Sequence, residues 1–323
     1  MESGADPIPS AAADGARAGA SHRSRPARRR RHGRATRGRW AGWLFALPAA
    51  VMFAVFVVVP LLQTAWYSLY AWNGITAATW VGLGNYARVF ADSRLLATIV
   101  HSFVFIIFFS IVPVFVGLVT AALIKDVQSK ALSTVARTLL FIPQIIPGAG
   151  AAVAWTWIYS QQGAFNELLR FMGLGALARP WLGDFQWALP SVGVIGTWLS
   201  LGLCTVLLLA GIGNIDGSLY EAARLDGAGW FREFFSVTVP GLRSQIGVCI
   251  TITTIAALAS FDVVFLATQG GPGYSTAVPG VEIYLLAFTQ NQVGQASALA
   301  IVLMLLVLVI VGPLQSLFRE RDA

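Results

Sequence analysis

SLYEAARLDGAGWFREFFSVTVPGL, Ser218 to Leu242, is a polar, glycine-broken stretch between two long apolar runs, Trp187 to Gly211 and Ile246 to Ala267. Each flanking run is long enough to cross about 30 Å of hydrocarbon as a helix of roughly 20 residues. Four more such runs, Trp40 to Leu62, Thr98 to Ile124, Thr138 to Ile158 and Ala296 to Phe318, bring the number to six. With 56% hydrophobic and 11% charged residues, the 323-residue chain is too apolar for a soluble domain of this length. The runs lack the alternation of barrel strands, and lipid cannot satisfy open backbone groups. The fold class is therefore all-α, a polytopic bundle of six transmembrane helices.

Charge sets the orientation. Of 22 Lys and Arg, ten lie in the tail from Arg17 to Arg39, three between spans two and three (Lys125, Lys130, Arg137), three between spans four and five (Arg224, Arg232, Arg243) and two at Arg319 and Arg321. The opposite face holds only Arg88, Arg94, Arg170 and Arg179. The positive-inside rule then places both termini, and the loop 212–243 that contains the Ser218 stretch, in the cytoplasm. The domain plan is a disordered basic tail over 1–39, a transmembrane domain over 40–318 and a short cytoplasmic C-terminus over 319–323. The run Arg28-Arg29-Arg30-Arg31 among Ala, Gly, Ser and Pro reads as a topology signal that touches anionic lipid, not as a nucleic-acid arm. The apolar run after Arg39 is longer than a signal-peptide h-region of about 7 to 15 residues, so it reads as an uncleaved anchor.

The composition excludes several chemistries. Cys204 and Cys249 both fall in predicted spans and read as packing residues, so no disulfide framework or metal site is expected. His22 and His32 lie in the tail, and His101 reads as a satisfied interfacial histidine. No His, Cys and carboxylate cluster suggests a metal site. A phosphate-cradling loop needs Gly-Lys-Ser/Thr at the mouth of a helix, but Lys125 follows Ile124 and Lys130 precedes Ala131. The chain carries no nucleotide site of its own and is not expected to be an enzyme; ATP-driven work would require a separate ATPase.

Within the Ser218 stretch, Ser218 and Glu221 form a capping-box pattern that predicts a helix start. Ala222 and Ala223 favour helix and keep its surface low. Asp226-Gly227-Ala228-Gly229 offers a turn, with Gly227 free to take a left-handed backbone. A second short helix from Trp230 would display Phe231, Phe234, Phe235 and Val237 until Val239-Pro240 stops it. Two short helices joined by a glycine elbow make a knob.

The spacing from Glu221-Ala222-Ala223 through Gly227 to Val237, Val239 and Pro240 resembles the EAA signature of permeases from binding-protein-dependent ABC importers, with valine at 237 and 239 where that family usually has isoleucine and leucine. Val81-Gly82-Leu83-Gly84-Asn85-Tyr86, Trp155 to Tyr159 with Gly163 and Asn166, Trp181-Leu182-Gly183, Thr268 to Pro272 with Ser275-Thr276, and Ile283-Tyr284 are similar to elements of its sugar-uptake branch. The resemblance runs roughly from Arg39 to Phe318. It implies a type I importer transmembrane fold and a coupling helix seated in a groove of an ATPase. The residues so implied are Glu221 as cap and polar contact, Ala222 and Ala223 as close-approach surface, Asp226 and Gly227 as the elbow, Phe231 and Phe234 as apolar contacts, and Pro240 as the stop. The implied partners are an ATPase dimer carrying ATP and Mg, a second permease subunit in a heterodimer, and an extracytoplasmic solute-binding protein. The knob would pass the ATPase closure to spans four and five.

Asp262 is the one carboxylate inside a predicted span, where a charge costs roughly 2.5 to 3.5 kcal/mol. With Phe261 it reads either as a sugar-hydroxyl acceptor in the substrate pathway or as a partner in an interhelical hydrogen bond near the wet end of the span. Pro60, Pro143 and Pro147 predict kinks. The Gly270-Gly271-Pro272-Gly273 loop is flexible by composition, and the resemblance puts it near the binding-protein dock. A stand-alone secondary transporter is the alternative, as is import of a non-sugar solute by the same architecture. Secondary carriers typically have related halves and several intramembrane ionisable groups, which this chain lacks.

Overall fold

The computed structural model describes residues 45–318; the tail assigned to 1–39, the first residues of the expected span one and the C-terminal 319–323 lie outside the described residues. In chain order the helices are α1 (Phe45–Tyr67), α2 (Gly84–Ala91), α3 (Ser93–Lys125), α4 (Lys130–Ile145), α5 (Gly148–Ile158), α6 (Ala164–Phe171) and α7 (Ala188–Ile212). They continue with α8 (Gly217–Leu225), α9 (Trp230–Gly241), α10 (Arg243–Leu258), α11 (Asp262–Thr268), α12 (Pro279–Thr289) and α13 (Val293–Phe318). A small antiparallel hairpin of β1 (Tyr70–Ala71) and β2 (Thr79–Trp80) follows α1, with Tyr70 opposite Trp80.

Four helices, α1, α3, α7 and α13, are unbroken and long and apolar enough to cross a membrane. The other two expected spans are broken. Residues 138–158 fall on α4 and α5, which meet at 100°. Pro143 stays inside α4, and the break comes at Ile146 (φ −75°, ψ 124°), held extended by the ring of Pro147. The run 246–267 is not one helix either. It ends at Leu258, Phe261 leaves helical geometry (φ −134°, ψ −60°), and α11 starts afresh at Asp262. Asp262, expected inside one continuous span helix, instead opens a new helix after the break.

Three prolines inside helices are absorbed by widening the turn before them. Ala54–Val58, Ile107–Ile111 and Phe234–Thr238 are π-turns that precede Pro60, Pro113 and Pro240. A looser turn accommodates a ring that lacks an N–H and crowds the carbonyl four residues back. The kink expected at Pro60 therefore leaves α1 unbroken.

Residues Val57–Ala323 form one compact unit. Within it α3 packs against α7 and α10, α4 against α7, α13 against α10 and α2, and α11 pairs with α5. Small residues allow the close approaches, as expected where dispersion rather than the hydrophobic effect joins helices; a Cβ at Gly202 of α7 would run into the Leu140 carbonyl of α4. Thr253 of α10 donates to Ser110 of α3 at 2.7 Å. Cys204 and Cys249 are buried in the cluster with Leu118, Leu208 and Leu242, and His101 Nδ1 lies 2.8 Å from the Ala277 carbonyl.

Candidate functional site

The knob is built from α8, an elbow and α9, and its start differs from the expected one. Asp216, not Ser218, is the N-cap: its Oδ1 accepts from the Ser218 amide at 2.9 Å, and the Ser218 amide and hydroxyl hold the Asp216 carboxyl below its usual range. An Asx turn has taken the place of the capping box, and Glu221 stands exposed beside Ala222 instead of reaching back. The elbow forms where expected. Gly227 takes φ +75°, its amide donates to Arg224 O at 3.0 Å, and the Ala228 amide donates to Ala223 O at 2.9 Å. This is a Schellman closure, which satisfies carbonyls that a helix end leaves open.

α9 ends at Gly241, one residue past Pro240, and meets α10 at 71°. It does not display all its phenylalanines. Phe234 is buried in the core and stacks on Trp230 with centroids 5.3 Å apart, whereas Phe231 and Phe235 are 73% and 65% exposed. Phe234, with Thr238 one turn on, lies on the face that seats the knob, so its assignment as an ATPase contact is corrected to packing. Leu225, 89% exposed at the end of α8, adds an outward apolar group that the sequence did not single out.

The knob is fastened to the end of α3 by a buried carboxylate. Glu233 accepts from Lys125 Nζ at 3.1 Å, from Arg224 Nε at 2.9 Å and from Arg224 Nη2 at 3.3 Å. The Arg224 hydrogen bond holds Glu233 below the ordinary glutamate value despite the opposing cost of burial, and Lys125 acts in the same direction. The Lys125 ammonium also sits over the Tyr220 ring, 3.2 Å from its centroid, and Tyr220 Oη lies 3.2 Å from Thr238 Oγ1. Trp230 Nε1 donates to Asp126 at 3.1 Å. Sequence reasoning missed Glu233 because its partner Lys125 is 108 residues away. The available signal was a lone carboxylate inside the aromatic run Trp230 to Phe235.

In the loops around α2 and α6 the fixings are neutral. Buried Asn85 donates to the Ser68 and Tyr70 carbonyls, both at 2.8 Å, and Tyr86 pairs with Ser68 at 2.7 Å. Buried Asn166 donates to the Ser160 and Arg179 carbonyls and accepts from Trp181 Nε1 at 2.8 Å. Thr276 donates to the Gly271 carbonyl at 2.7 Å and lies 2.7 Å from Thr268 Oγ1, so the loop that composition marks as flexible is tied across its base. Arg94 sits 5.0 Å from the Tyr274 ring centroid and 3.9 Å from the fully buried Glu282.

Asp262 lies where the two broken runs meet. It opens α11, is exposed, and a Cβ at Gly148, the first residue of α5, would run into its carboxylate. Phe261 stacks on Phe265 at 5.1 Å, Phe265 meets Tyr284 at 4.9 Å, and Tyr284 meets Phe288 at 5.2 Å, an aromatic row leading away from the carboxylate.

Comparison with known proteins agrees with this architecture. Residues 113–318 match the family described as "binding-protein-dependent transport system inner membrane component". A probable ABC transporter permease protein, YurN of Bacillus subtilis, is 35% identical over 82% of this chain and 91% of its own length. The trehalose/maltose transport system permease protein MalF of Thermococcus litoralis is 34% identical over 83% of this chain and 90% of its own. The sulfoquinovosyl glycerol transport system permease protein SmoG of Agrobacterium fabrum is 29% identical over 88% and 95%. Among solved structures, a chain of a bacterial ABC transporter that imports alginate superposes with a TM-score of 0.74 at 22% identity, covering 89% of this chain and 98% of that one, which establishes the shared fold. Helical architecture, broken spans and family match together make this chain a member of the binding-protein-dependent transport system inner membrane component family, a permease subunit of the ABC importer type and not an enzyme.

Proposed function

We propose that this permease imports a sugar, oligosaccharide or related polyol across a bacterial plasma membrane, with both termini and the knob in the cytoplasm. A separate ATPase dimer, holding ATP and Mg, docks on the knob. A second permease subunit completes the pathway as a heterodimer, and an extracytoplasmic binding protein delivers the solute at the opposite end. Carbohydrate names among the relatives support the solute class. The observation that carries it in this chain is the exposed Asp262 beside the row Phe261, Phe265, Tyr284 and Phe288. A carboxylate accepts from sugar hydroxyls, aromatic faces cover the apolar side of a sugar ring, and discontinuous helices near the midplane are common substrate sites in transporters. On the knob, Glu221, Ala222, Asp226, Gly227 and Phe231 form the outward docking surface, with Ala223 behind them, and Pro240 lies beyond at the base of α9.

The test is reconstitution with the ATPase, second permease and binding protein encoded beside it, followed by uptake of labelled maltose and trehalose against labelled amino acids. Gly227→Asp should insert normally yet lose ATPase co-purification, since an aspartate is strained at φ +75°. Asp262→Asn should assemble fully and lose at least tenfold in sugar uptake. Uptake by this chain alone in liposomes would instead mark a secondary transporter.

A further inference from the structure

The knob joins α7 and α10 in sequence, yet its strongest side-chain fixing is to neither. Glu233 binds Lys125 at the last turn of α3, Lys125 covers the Tyr220 ring of α8, and Trp230 reaches Asp126 just beyond α3. Arg224 closes the same carboxylate from α8. Both halves of the knob therefore meet at one carboxylate, and that carboxylate is fixed to α3. The Glu233 side chain is 9% exposed, Lys125 23% and Arg224 58%, so the bond to α3 is the better shielded of the two. α3 is a 33-residue helix with no break, packed along α7 and α10, whereas the chain at the α9–α10 junction turns through 71°. A bend with its own last-turn hydrogen bonds is a compliant joint; α3 carries the Ile107–Ile111 π-turn but stays continuous, and a buried carboxylate grips it directly.

We propose that Glu233 is a positioning residue for coupling: it clamps the knob to the end of α3, so that the ATPase stroke enters the bundle through α3 rather than through the covalently adjoining α7 and α10. This rests on the reading of the knob as the ATPase dock. The clamp has three contributors, Glu233, Lys125 and Arg224, of which Lys125 is the one that belongs to α3. Removing the Glu233 charge leaves the elbow, the Asp216 cap and the outward residues untouched. The knob keeps its docking shape and loses its grip on α3.

The experiment uses the reconstituted transporter with its ATPase, a nitroxide attached at Leu96→Cys near the far end of α3, and ATP with vanadate as the only probe. Trapping the nucleotide should change the Leu96 spectrum in the native transporter. Glu233→Gln should co-purify with the ATPase at native stoichiometry, yet show less than a third of that change. Glu233→Asp should recover most of it, and Lys125→Gln combined with Glu233→Gln should be no worse than Glu233→Gln alone. A native-sized spectral change in Glu233→Gln overturns the proposal, as does absence of any change in the native transporter. Loss of the ATPase in Glu233→Gln overturns it too, because Glu233 would then shape the dock instead of transmitting from it. Failure of the underlying dock reading shows separately, as retention of the ATPase by Gly227→Asp.

Discussion

The loops around α2 and α6 and the knob at the last turn of α3 are secured by different chemistry. In those loops the amides of Asn85 and Asn166 satisfy buried carbonyls in fixed geometry. The knob is held by a carboxylate shared between a lysine and an arginine. An amide staple is short, directional and costly to break, because each carbonyl it releases is left unpaired away from water. The shared carboxylate instead joins two separate elements, the end of α3 and the knob, through charge. The contrast sets neutral staples that close single loops against a charged grip that couples two elements.

The asparagine staples should respond most to mutation. Asn166→Ala removes partners from Ser160 O, Arg179 O and Trp181 Nε1, and should cost roughly 3 to 5 kcal/mol, visible as a large drop in thermal midpoint of the detergent-purified protein. A midpoint within a degree of native would remove the distinction between staple and grip. Glu233→Gln should cost only about 1 to 2 kcal/mol in the same assay, because both cations remain partly exposed and can turn to water. The smallest effect is that of pH. Glu233 binds its proton less tightly folded than unfolded, so its contribution is complete above the ordinary glutamate pKa of about 4.3 and is lost as pH falls through the depressed folded value. Between pH 8 and 5 the clamp should give no change in midpoint, and below that range native protein should lose stability more steeply than Glu233→Gln.

Much of this architecture is legible in the sequence, because local forces set it. Apolar runs of sufficient length mark the helices, and Asp226-Gly227 marks an elbow that only a left-handed residue closes. The misreadings arise where the decision is not local. Ser218 with Glu221 and Asp216 with Ser218 are competing caps, and the winning one begins the helix at Gly217. The π-turn before Pro240 carries α9 only one residue past it, to Gly241. Phe231 and Phe234 are equally apolar, and only the packing of α9 on the core decides which faces outward. The run 246–267 reads as one helix because the break at 259–261 has no proline to announce it. Glu233 and Lys125 could be paired only by knowing which helix end the knob touches.

The length of α3 has a consequence for the membrane itself. At 33 residues it measures about 50 Å, against roughly 30 Å of hydrocarbon. A free helix would absorb the surplus by tilting, but α3 has Arg94 facing Glu282 at one end and Lys125 bound to Glu233 at the other. Tied to the knob at its last turn, it has less freedom to lean further in a thinner bilayer, so the lipid must deform around it. Acyl-chain length thus becomes a mechanical load on this helix.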